Sequence, residues 1–219
     1  MHFAVKKTID EIKSLCSVES NRRLIKDTLL FFVSTVIFHF LYWNTDMNAW
    51  IFGPFTNGIF DFFTDLAFKG SKPLCALLTD KPFYCEQTSF YFYSVLPDGT
   101  REIDSIMHII HDCSGVKQLL QWGLIMILCR GKWLGKLLWF LCGCVVIILC
   151  NILRITLLTT MFSYDPSWFT PTHDWVARPM MYIIIFAMWY YWLHLLNKKA
   201  EQNGEKEQCE RTSAEQSLS

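Results

Sequence analysis

The chain has 219 residues, of which 52% are hydrophobic and 16% aromatic, and its 20 lysine and arginine residues balance its 20 acidic residues. This length suits one domain, and a neutral chain without a basic patch offers no electrostatic attraction to nucleic acid. The chain also lacks a glycine-rich phosphate loop, an HExxH motif and a GxSxG elbow. Its hydrophobic residues form separate runs long enough to cross a bilayer, which a soluble core does not need. The composition predicts a multi-pass, all-α membrane protein that does not bind nucleic acid.

The first apolar run, Leu24–Trp43, follows a leader of mixed charge at residues 1–23. This leader is too long and too mixed in charge for the basic region of a cleavable signal peptide, so we expect a cytoplasmic N-terminal segment. Basic residues precede the run and the aromatic pair Tyr42-Trp43 ends it, which directs the span outward from the cytoplasm. His39 lies near the outer end, where we expect a hydrogen bond to a neighbouring helix.

Three further apolar runs predict spans at Gly115–Cys129, Leu134–Phe162 and Arg178–Leu196. Lysine and arginine residues follow the first and the last of these runs, which places those ends in the cytoplasm by the positive-inside rule. The membrane domain is therefore expected to cover residues 24–199, with about four transmembrane helices and both termini inside. The polar segment 200–219 is expected to be a disordered cytoplasmic tail.

An outer insert at about residues 44–112 separates the first two spans. Within it, apolar residues recur with a helical period from Trp50 to Phe68, and Gly53-Pro54 breaks the run near its start. This segment is interpreted as an interfacial or re-entrant helix that forms a wall of the site. A helix packed on the rim of the bundle is the alternative.

The insert ends in a small predicted β-hairpin on the outer side. Residues 83–96 and 101–110 have strand-like composition, and Pro97-Asp98-Gly99 between them suits a tight turn. The hairpin delivers the chain to the sequence His111-Asp112-Cys113-Ser114-Gly115, where a polar segment meets an apolar run.

Cys113 is the candidate nucleophile in this sequence. A helix is expected to begin around Gly115, with Asp112 or Ser114 as its cap, and the N–H groups of a helix N-terminus lower the pKa of a nearby thiol. The negative charge of Asp112 opposes that effect. Gly115 removes a side chain beside the thiol, which is expected to let a substrate backbone approach.

Disulfide formation is the alternative role for this thiol. Three cysteines are expected on the outer side, and pairing of Cys75 with Cys85 would leave Cys113 free and reactive. Pairing of Cys85 with Cys113 would instead block the thiol, and the sequence leaves both arrangements open. His108, His111 and Cys113 lack a convincingly spaced fourth zinc ligand, so we expect neither a metal nor another cofactor.

Arg154 and Asn151 are polar residues inside the otherwise apolar third span. An arginine within a span costs roughly 2.5–3.5 kcal/mol on insertion scales, so it is retained with a partner or a task. Asn151 lies three residues earlier on the same helix face, so both side chains are expected to point into the bundle. His173 follows in a short outer loop, Ser163–Asp174, as a candidate base that Asp174 would orient. The alternatives are an Arg154 that extends to the lipid headgroups and a His173 that is merely solvated.

With four spans, Cys113, Arg154 and His173 fall at a similar depth near the outer face of the membrane. The chain resembles the exosortase/archaeosortase family in three features. These are Cys113-Ser114-Gly115 at the start of a span, Asn151-x-x-Arg154 in the next span and His173 in the following loop. The resemblance covers roughly residues 83–196 and implies a membrane-embedded cysteine transpeptidase or protease. It implies that Cys113 is the nucleophile and that Arg154 and His173 complete the catalytic set. The expected supporting or substrate-binding residues are Ser114, Gly115, Asn151 and Asp174.

The resemblance also implies a substrate, namely an exported protein whose C-terminus carries a short motif, a hydrophobic helix and a basic cluster. The enzyme would cleave this sorting signal through a thioacyl intermediate and pass the product to an acceptor of unknown identity. The expected location is the plasma (inner) membrane, with the bilayer as a partner and the active site facing outward. Two alternatives stay open: a non-catalytic scaffold locked by Asn151 and Arg154, and a thiol-redox enzyme that uses Cys75, Cys85 and Cys113.

Overall fold

The computed structural model describes the backbone of residues 2–217 and the side chains of Arg22 and of residues 24–199. The helices are α1 (His2–Asn44), α2 (Met47–Phe52), α3 (Thr56–Leu78), α4 (Val116–Leu128), α5 (Trp133–Tyr164), α6 (Phe169–Pro171) and α7 (Arg178–Ser217). The strands are β1 (Phe83–Glu86), β2 (Ser89–Val95) and β3 (Arg101–His108). Short 3₁₀ turns occupy Gly53–Phe55, His111–Cys113 and Pro166–Trp168, and a π-helical turn covers Thr172–Ala177.

Within the described residues, three helical segments are long and apolar enough to cross a bilayer: Leu24–Asn44, Trp133–Tyr164 and Pro166–Lys199. They confirm the first, third and fourth predicted spans and the all-α membrane class. The second predicted span, Gly115–Cys129, corresponds to α4, which has 13 residues. At 1.5 Å per residue α4 is about 20 Å long, which is less than the roughly 30 Å of a hydrocarbon core. The four predicted spans are thus three long helices and one shorter apolar helix.

The length of α4 follows from where it begins. The Asn151 side chain of α5 donates a hydrogen bond to the Cys113 carbonyl, just before the start of α4. Asn151 precedes Tyr164, the last residue of α5, by 13 residues or about 20 Å. The chain therefore enters α4 well below the end of α5, and the remaining turns of α5 pack against α3 and the sheet.

The first of two apolar cores lies between α1, α4, α5 and α7. Trp122, Ile147, Ile185 and Trp189 are fully buried at its centre. Trp122 lies directly over Gly143 of α5, where even a Cβ atom would collide with the indole ring. A glycine at this position therefore lets α4 and α5 approach closely.

The turn between α4 and α5 marks one end of this bundle, here called the Arg130 end. Arg130 forms an ion pair with Asp27 of α1 at 2.8 Å and donates to Asn197 Oδ1 of α7 at 3.4 Å. Lys136 donates to the Ile127 carbonyl at 2.9 Å, which satisfies one of the free carbonyl groups at the C-terminus of α4. The opposite end of the bundle, where Cys113 lies, is called the site end.

The second apolar core lies at the site end, between α3, the sheet and the last turns of α5. Phe90 and Phe92 of β2 are fully buried there. The Phe90 ring lies 5.0 Å from that of Phe68 in α3, and the Phe92 ring lies 6.5 Å from that of Phe162 in α5. Alternation along the strand turns these phenylalanines inward and the intervening tyrosine outward. The sheet is therefore attached to the bundle through α3 and α5.

The predicted hairpin is present, but its first arm consists of two strands. β1 and β2 pair antiparallel from Phe83↔Phe92 to Glu86↔Ser89, which leaves Gln87 and Thr88 as a two-residue turn with Gln87 at φ 51°. β2 then pairs with β3 through the predicted turn, where Gly99 has φ 82°. The sequence does not reveal the first turn, because glutamine and threonine are not typical residues of such turns.

The helix predicted at Trp50–Phe68 is broken at Gly53-Pro54 as expected, since a 3₁₀ turn at Gly53–Phe55 separates α2 from α3. α3 then continues ten residues beyond Phe68 to Leu78. Its buried stripe faces α5, where Gly70 lies close to the Ile152 side chain. α3 forms a wall at the site end, and its position relative to a membrane stays a prediction.

The predicted cytoplasmic segment 1–23, apart from Arg22, and the predicted disordered tail 200–219 lie outside the side chains that the structure describes. The backbones of α1 and α7 are helical through residues 2–23 and 200–217. The proposed division of the chain into leader, membrane domain and tail therefore stays a prediction.

Candidate active site

Cys113 lies in the short 3₁₀ turn that joins β3 to α4. Its backbone N–H donates to the Ile110 carbonyl at 2.8 Å. Gly115, with φ 82°, precedes α4, and the Val116 N–H donates to Ser114 Oγ at 3.3 Å. The N-cap residue of α4 is Gly115, which has no side chain to form a cap, and of the two predicted caps only Ser114 contacts the start of the helix.

The space beside Gly115 is filled by Asn151 of α5. A Cβ atom at Gly115 would lie 3.1 Å from Cγ and Nδ2 of Asn151. The same Nδ2 donates to the Cys113 carbonyl at 2.8 Å. Gly115 therefore allows the start of α4 to lie against α5. The space that was expected to admit a substrate backbone is occupied by the Asn151 side chain.

Arg154 is buried on the same face of α5, with 4% of its surface exposed. Its Nη1 donates to Asn151 Oδ1 at 3.5 Å, and its Nη2 donates to His173 Nε2 at 3.1 Å. Among the residues with described side chains, no carboxylate forms an ion pair with this guanidinium. Asn151 and Arg154 thus point into the bundle, as their shared helix face predicts, and the alternative of an Arg154 that extends to the headgroups is wrong.

His173 lies in the π-helical turn Thr172–Ala177, which runs directly into α7. The prediction of a loop at Ser163–Asp174 is wrong for most of this segment. Asp165 accepts a hydrogen bond from the Ser167 N–H at 2.9 Å and so caps a helical run that begins at Pro166. A π-helical turn displaces side chains from the usual helical positions and is frequent at functional sites. Here it directs His173 at Arg154.

The hydrogen bonds of His173 determine which ring nitrogen carries its proton. A guanidinium has no acceptor, so His173 Nε2 must accept from Arg154. Nδ1–H then donates to Asp174 Oδ1 at 2.9 Å, and Asp174 forms an ion pair with Arg178 at 3.1 Å. The lone pair of His173 therefore faces the interior of the site, and Asp174 has the position that an orienting group requires.

A cavity of about 610 Å³, here called the reactive cavity, opens between these elements and is lined by Cys113, Arg154 and His173. Burial raises the pKa of the Cys113 thiol, Arg154 lowers it, and the net change is upward. The net direction is therefore opposite to the one that a helix N-terminus favours, because removal of the thiol from water outweighs the nearby positive charge. No hydrogen bond joins the Cys113 sulfur to His173. The resting thiol is neutral and needs a base to become a nucleophile.

Residues outside the predicted site also line the reactive cavity, among them His39 of α1, Lys117 of α4 and Tyr182 of α7. His39 Nδ1 lies 3.2 Å from Tyr182 Oη and 3.3 Å from Lys117 Nζ. The predicted hydrogen bond from His39 to a neighbouring helix is thus confirmed. The sequence signal for Lys117 was a charge in an apolar run, whereas Tyr182 carries no comparable signal.

The two histidines considered as metal ligands are each in contact with another side chain. His108 lies 2.7 Å from Ser89 Oγ, and His111 lies 2.7 Å from an Asp61 carboxylate oxygen. In the described part of the chain, no group of three or more histidine, cysteine, aspartate or glutamate side chains is arranged as a metal site. Cys75, Cys85 and Cys113 are free thiols.

These features define a multi-pass membrane protein in which a thiol, a buried arginine and a histidine face one cavity. A family model described as transmembrane exosortase matches residues 78–192, which is more than half of the chain and includes Cys113, Asn151, Arg154 and His173. The chain belongs to the transmembrane exosortase family. No curated protein and no solved structure matches it.

Proposed function

We propose that this protein is a membrane cysteine transpeptidase that cleaves C-terminal sorting signals of exported proteins through a thioacyl intermediate on Cys113. The observation that carries the proposal is the environment of Arg154. This guanidinium is buried beside a free thiol and has no ion-pair partner among the described residues. A buried cation without a counter-charge is costly, and an anion that forms during the reaction removes that cost.

The first half-reaction begins with transfer of the Cys113 proton to His173 Nε2, which exchanges its hydrogen bond from Arg154 for one from the thiol. The thiolate attacks the scissile carbonyl carbon, and the C=O electron pair moves to the oxygen. Arg154, released from His173, donates to this oxyanion. The intermediate then collapses, the C–N bond breaks, and the leaving amine takes the proton from His173. The acyl group remains on sulfur as a thioester.

The second half-reaction transfers the acyl group to an acceptor. An amine, hydroxyl or water molecule attacks the thioester carbonyl and gives its proton to His173. The C–S bond breaks, the sulfur leaves with the bonding electrons, and His173 returns the proton to it. Water as acceptor makes the enzyme a protease, whereas an amine or hydroxyl acceptor makes it a transferase.

Two supporting residues hold this arrangement. Asp174 accepts the Nδ1–H of His173, so it orients the ring and stabilises the imidazolium that forms when Nε2 takes the proton. Asn151 contacts both the Cys113 carbonyl and Arg154, so it keeps the nucleophile and the oxyanion donor at a constant separation. Both are positioning residues in the proposal.

The distribution of basic residues supports an orientation. Five of them gather near the Arg130 end: Arg130, Lys132, Lys136, Lys198 and Lys199. By the positive-inside rule this end lies in the cytoplasm of a cell whose plasma membrane contains the protein, and the site end faces outward. A substrate helix beside the bundle would then present its basic cluster inside and its cleavage motif at the site.

The thiol-redox alternative has less support. Cys75 is fully buried in the second apolar core, and burial raises the pKa of its thiol to about 11. A thiol with so high a pKa is a poor partner for disulfide exchange. Cys113, in contrast, lines a cavity.

The test is processing of a candidate sorting-signal protein in cells that carry wild type, Cys113→Ser or Arg154→Lys. We expect both variants to leave the C-terminal helix of the substrate attached, with a loss of at least about 100-fold for Arg154→Lys, because lysine cannot make the forked contacts of a guanidinium. Membrane levels of every variant are measured by immunoblot.

Two matched controls accompany this test. Cys85→Ser removes another thiol at the site end, and Arg130→Lys makes the same exchange at the opposite end of the bundle. Both are expected to process the substrate normally. Continued trimming by Cys113→Ser would favour the scaffold, and equal loss in Cys85→Ser and Cys113→Ser would favour thiol-redox chemistry.

A further inference from the structure

A second cavity, of about 640 Å³, forms a groove between α1 and α7, here called the α1–α7 groove. Its walls are mainly apolar and include Val36, Phe40 and Trp43 of α1. His39, Trp43 and Tyr182 line both this groove and the reactive cavity. The two spaces are therefore adjacent.

The groove reaches only part of the way along the bundle. Its α1 residues extend from Thr35 to Asn44, which is about 15 Å of helix, or half of a hydrocarbon core of roughly 30 Å. Towards the Arg130 end the helices close together, because the Phe31 ring lies 5.3 Å from that of Phe186 and 4.7 Å from that of Trp189. A spanning helix needs the full depth of the core, whereas an acyl chain from one leaflet fits this half-depth.

The end of the groove nearest the site carries positive charge. Lys117 Nζ lies 4.5 Å from the ring centroid of Trp43 and 5.0 Å from that of Tyr42, and no described carboxylate forms an ion pair with it. An ammonium group has no acceptor, so His39 Nδ1 accepts from Lys117 and the His39 proton lies on Nε2. Lys117 keeps further N–H groups for a ligand.

The charges around the reactive cavity do not cancel. Arg154, Lys117 and Arg178 line it, with Asp112 as the carboxylate among its lining residues. Arg178 also forms an ion pair with Asp174, and the total still leaves an excess of positive charge. An anion at this position would be stabilised by charge-assisted hydrogen bonds.

We propose that a phospholipid with an anionic headgroup, drawn from the leaflet at the site end, binds in the α1–α7 groove. Its acyl chain occupies the apolar half-depth of the groove, and its phosphodiester contacts Lys117 and Arg178 beside the reactive cavity. The inference does not depend on peptide cleavage. The α1 wall of the groove, residues 35–44, lies outside the segment 78–192 that matches the family model.

The experiment measures lipid retention by the purified full-length chain with native mass spectrometry. Phosphatidylglycerol and phosphatidylcholine with the same acyl chains are titrated in separate samples, and inorganic phosphate is added as a competitor. We expect about tenfold preference for phosphatidylglycerol, which corresponds to one good charge-assisted contact. Inorganic phosphate is expected to compete only weakly, because it lacks the apolar chain.

Two sets of variants test the apolar groove and the charged end separately. Val36→Trp fills the groove and is expected to abolish retention of both lipids, whereas Val33→Trp, an exposed α1 position outside the groove, retains them. Lys117→Gln is expected to remove the preference for phosphatidylglycerol, and Lys117→Arg to preserve it. Lys69→Gln removes an exposed lysine of α3 as the charge control. Unfolding temperatures of all variants are compared with wild type.

Several outcomes would overturn the inference. Equal retention of the two lipids by wild type would exclude a preference for an anionic headgroup, and retention by Val36→Trp equal to that of Val33→Trp would exclude the groove. Full displacement of phosphatidylglycerol by inorganic phosphate would indicate a site for a free anion. Cys113→Ser is expected to retain phosphatidylglycerol like wild type, so continued cleavage by this variant with normal lipid retention would reject the proposed enzyme activity alone.

Discussion

Arg154 joins Asn151 and His173 through one guanidinium. Its Nη1 reaches Asn151, its Nη2 reaches His173, and its Nε is buried without a hydrogen-bond partner in the described part of the chain. An unsatisfied buried donor costs about 1–3 kcal/mol. The arrangement is therefore better suited to an additional acceptor, such as an oxyanion, than to a structural lock between helices.

The reactivity of Cys113 should rise with pH above the range of an ordinary thiol. Burial raises its pKa above the usual 9.0, and Arg154 partly offsets this rise. We expect the rate of Cys113 alkylation by iodoacetamide, followed by mass spectrometry of its peptide, to have a midpoint above pH 9.0. Arg154→Gln should move that midpoint further upward, whereas Arg130→Gln should leave it unchanged. A wild-type midpoint below pH 9.0 would contradict the burial of this thiol.

The same change of pKa affects stability in a defined direction. Because the folded protein favours the neutral thiol, its contribution to the free energy of unfolding is complete below the ordinary pKa. It is lost as the pH rises from 9.0 through the folded-state pKa. Cys113→Ser removes this contribution, so the variant should lose less stability than wild type over that alkaline range.

At the level of elements, the site depends on two local departures from regular helix. Gly115 takes φ 82° where α4 begins, and the π-helical turn Thr172–Ala177 begins the approach to α7. The first brings the backbone of Cys113 against Asn151, and the second aims His173 at Arg154. Each departure is local in the chain, but each one brings a nearby residue against a partner on α5.

Gly115→Ala and Gly99→Ala form a matched pair that tests the first departure. Both glycines have φ 82°, so both substitutions carry the backbone strain of a left-handed alanine, about 1–2 kcal/mol. A Cβ at Gly99 meets no atom within 4 Å, whereas one at Gly115 lies 3.1 Å from Asn151. We expect similar losses in unfolding temperature but at least a tenfold loss of substrate cleavage for Gly115→Ala alone. Equal cleavage by the two variants would show that the contact with Asn151 is not needed.

At the level of the whole molecule, two apolar cores meet at the site. The bundle core joins α1, α4, α5 and α7, and the second core joins α3, the sheet and the last turns of α5. α5 belongs to both, and Asn151 and Arg154 lie on it between them. The site is therefore held by the rigid junction of two packed units, which suits a reaction that needs constant distances.

The orientation of the molecule can be tested with protease sites. One site is inserted after Gly99, in the exposed turn between β2 and β3, and another between Arg130 and Lys132, at the opposite end. We expect protease added to intact cells or spheroplasts to cut the first insertion alone, and both insertions to be cut after lysis. Cleavage of the Arg130 insertion in intact cells would reverse the proposed orientation.

Several features were determined by the sequence alone, because their signals are local. Hydropathy is summed over one segment, so the long spans at the start, middle and end of the membrane domain were found. The helix break at Gly53-Pro54 and the turn at Pro97-Asp98-Gly99 were predicted from the backbone preferences of these residues themselves. The family was suggested by the order and spacing of Cys113-Ser114-Gly115, Asn151-x-x-Arg154 and His173, together with their similar expected depth.

Other features were decided only by the tertiary structure, because they depend on contacts between residues far apart in the chain. Asn151 occupies the space beside Gly115 and sets where α4 begins, and burial by several elements reverses the expected change in the pKa of Cys113. The contacts of Lys117 with His39 join α1 to the site across 78 residues of sequence. A local sequence pattern does not specify which distant residue will pack against it. The sequence therefore pointed to the candidate site residues, and packing decided their burial and their partners.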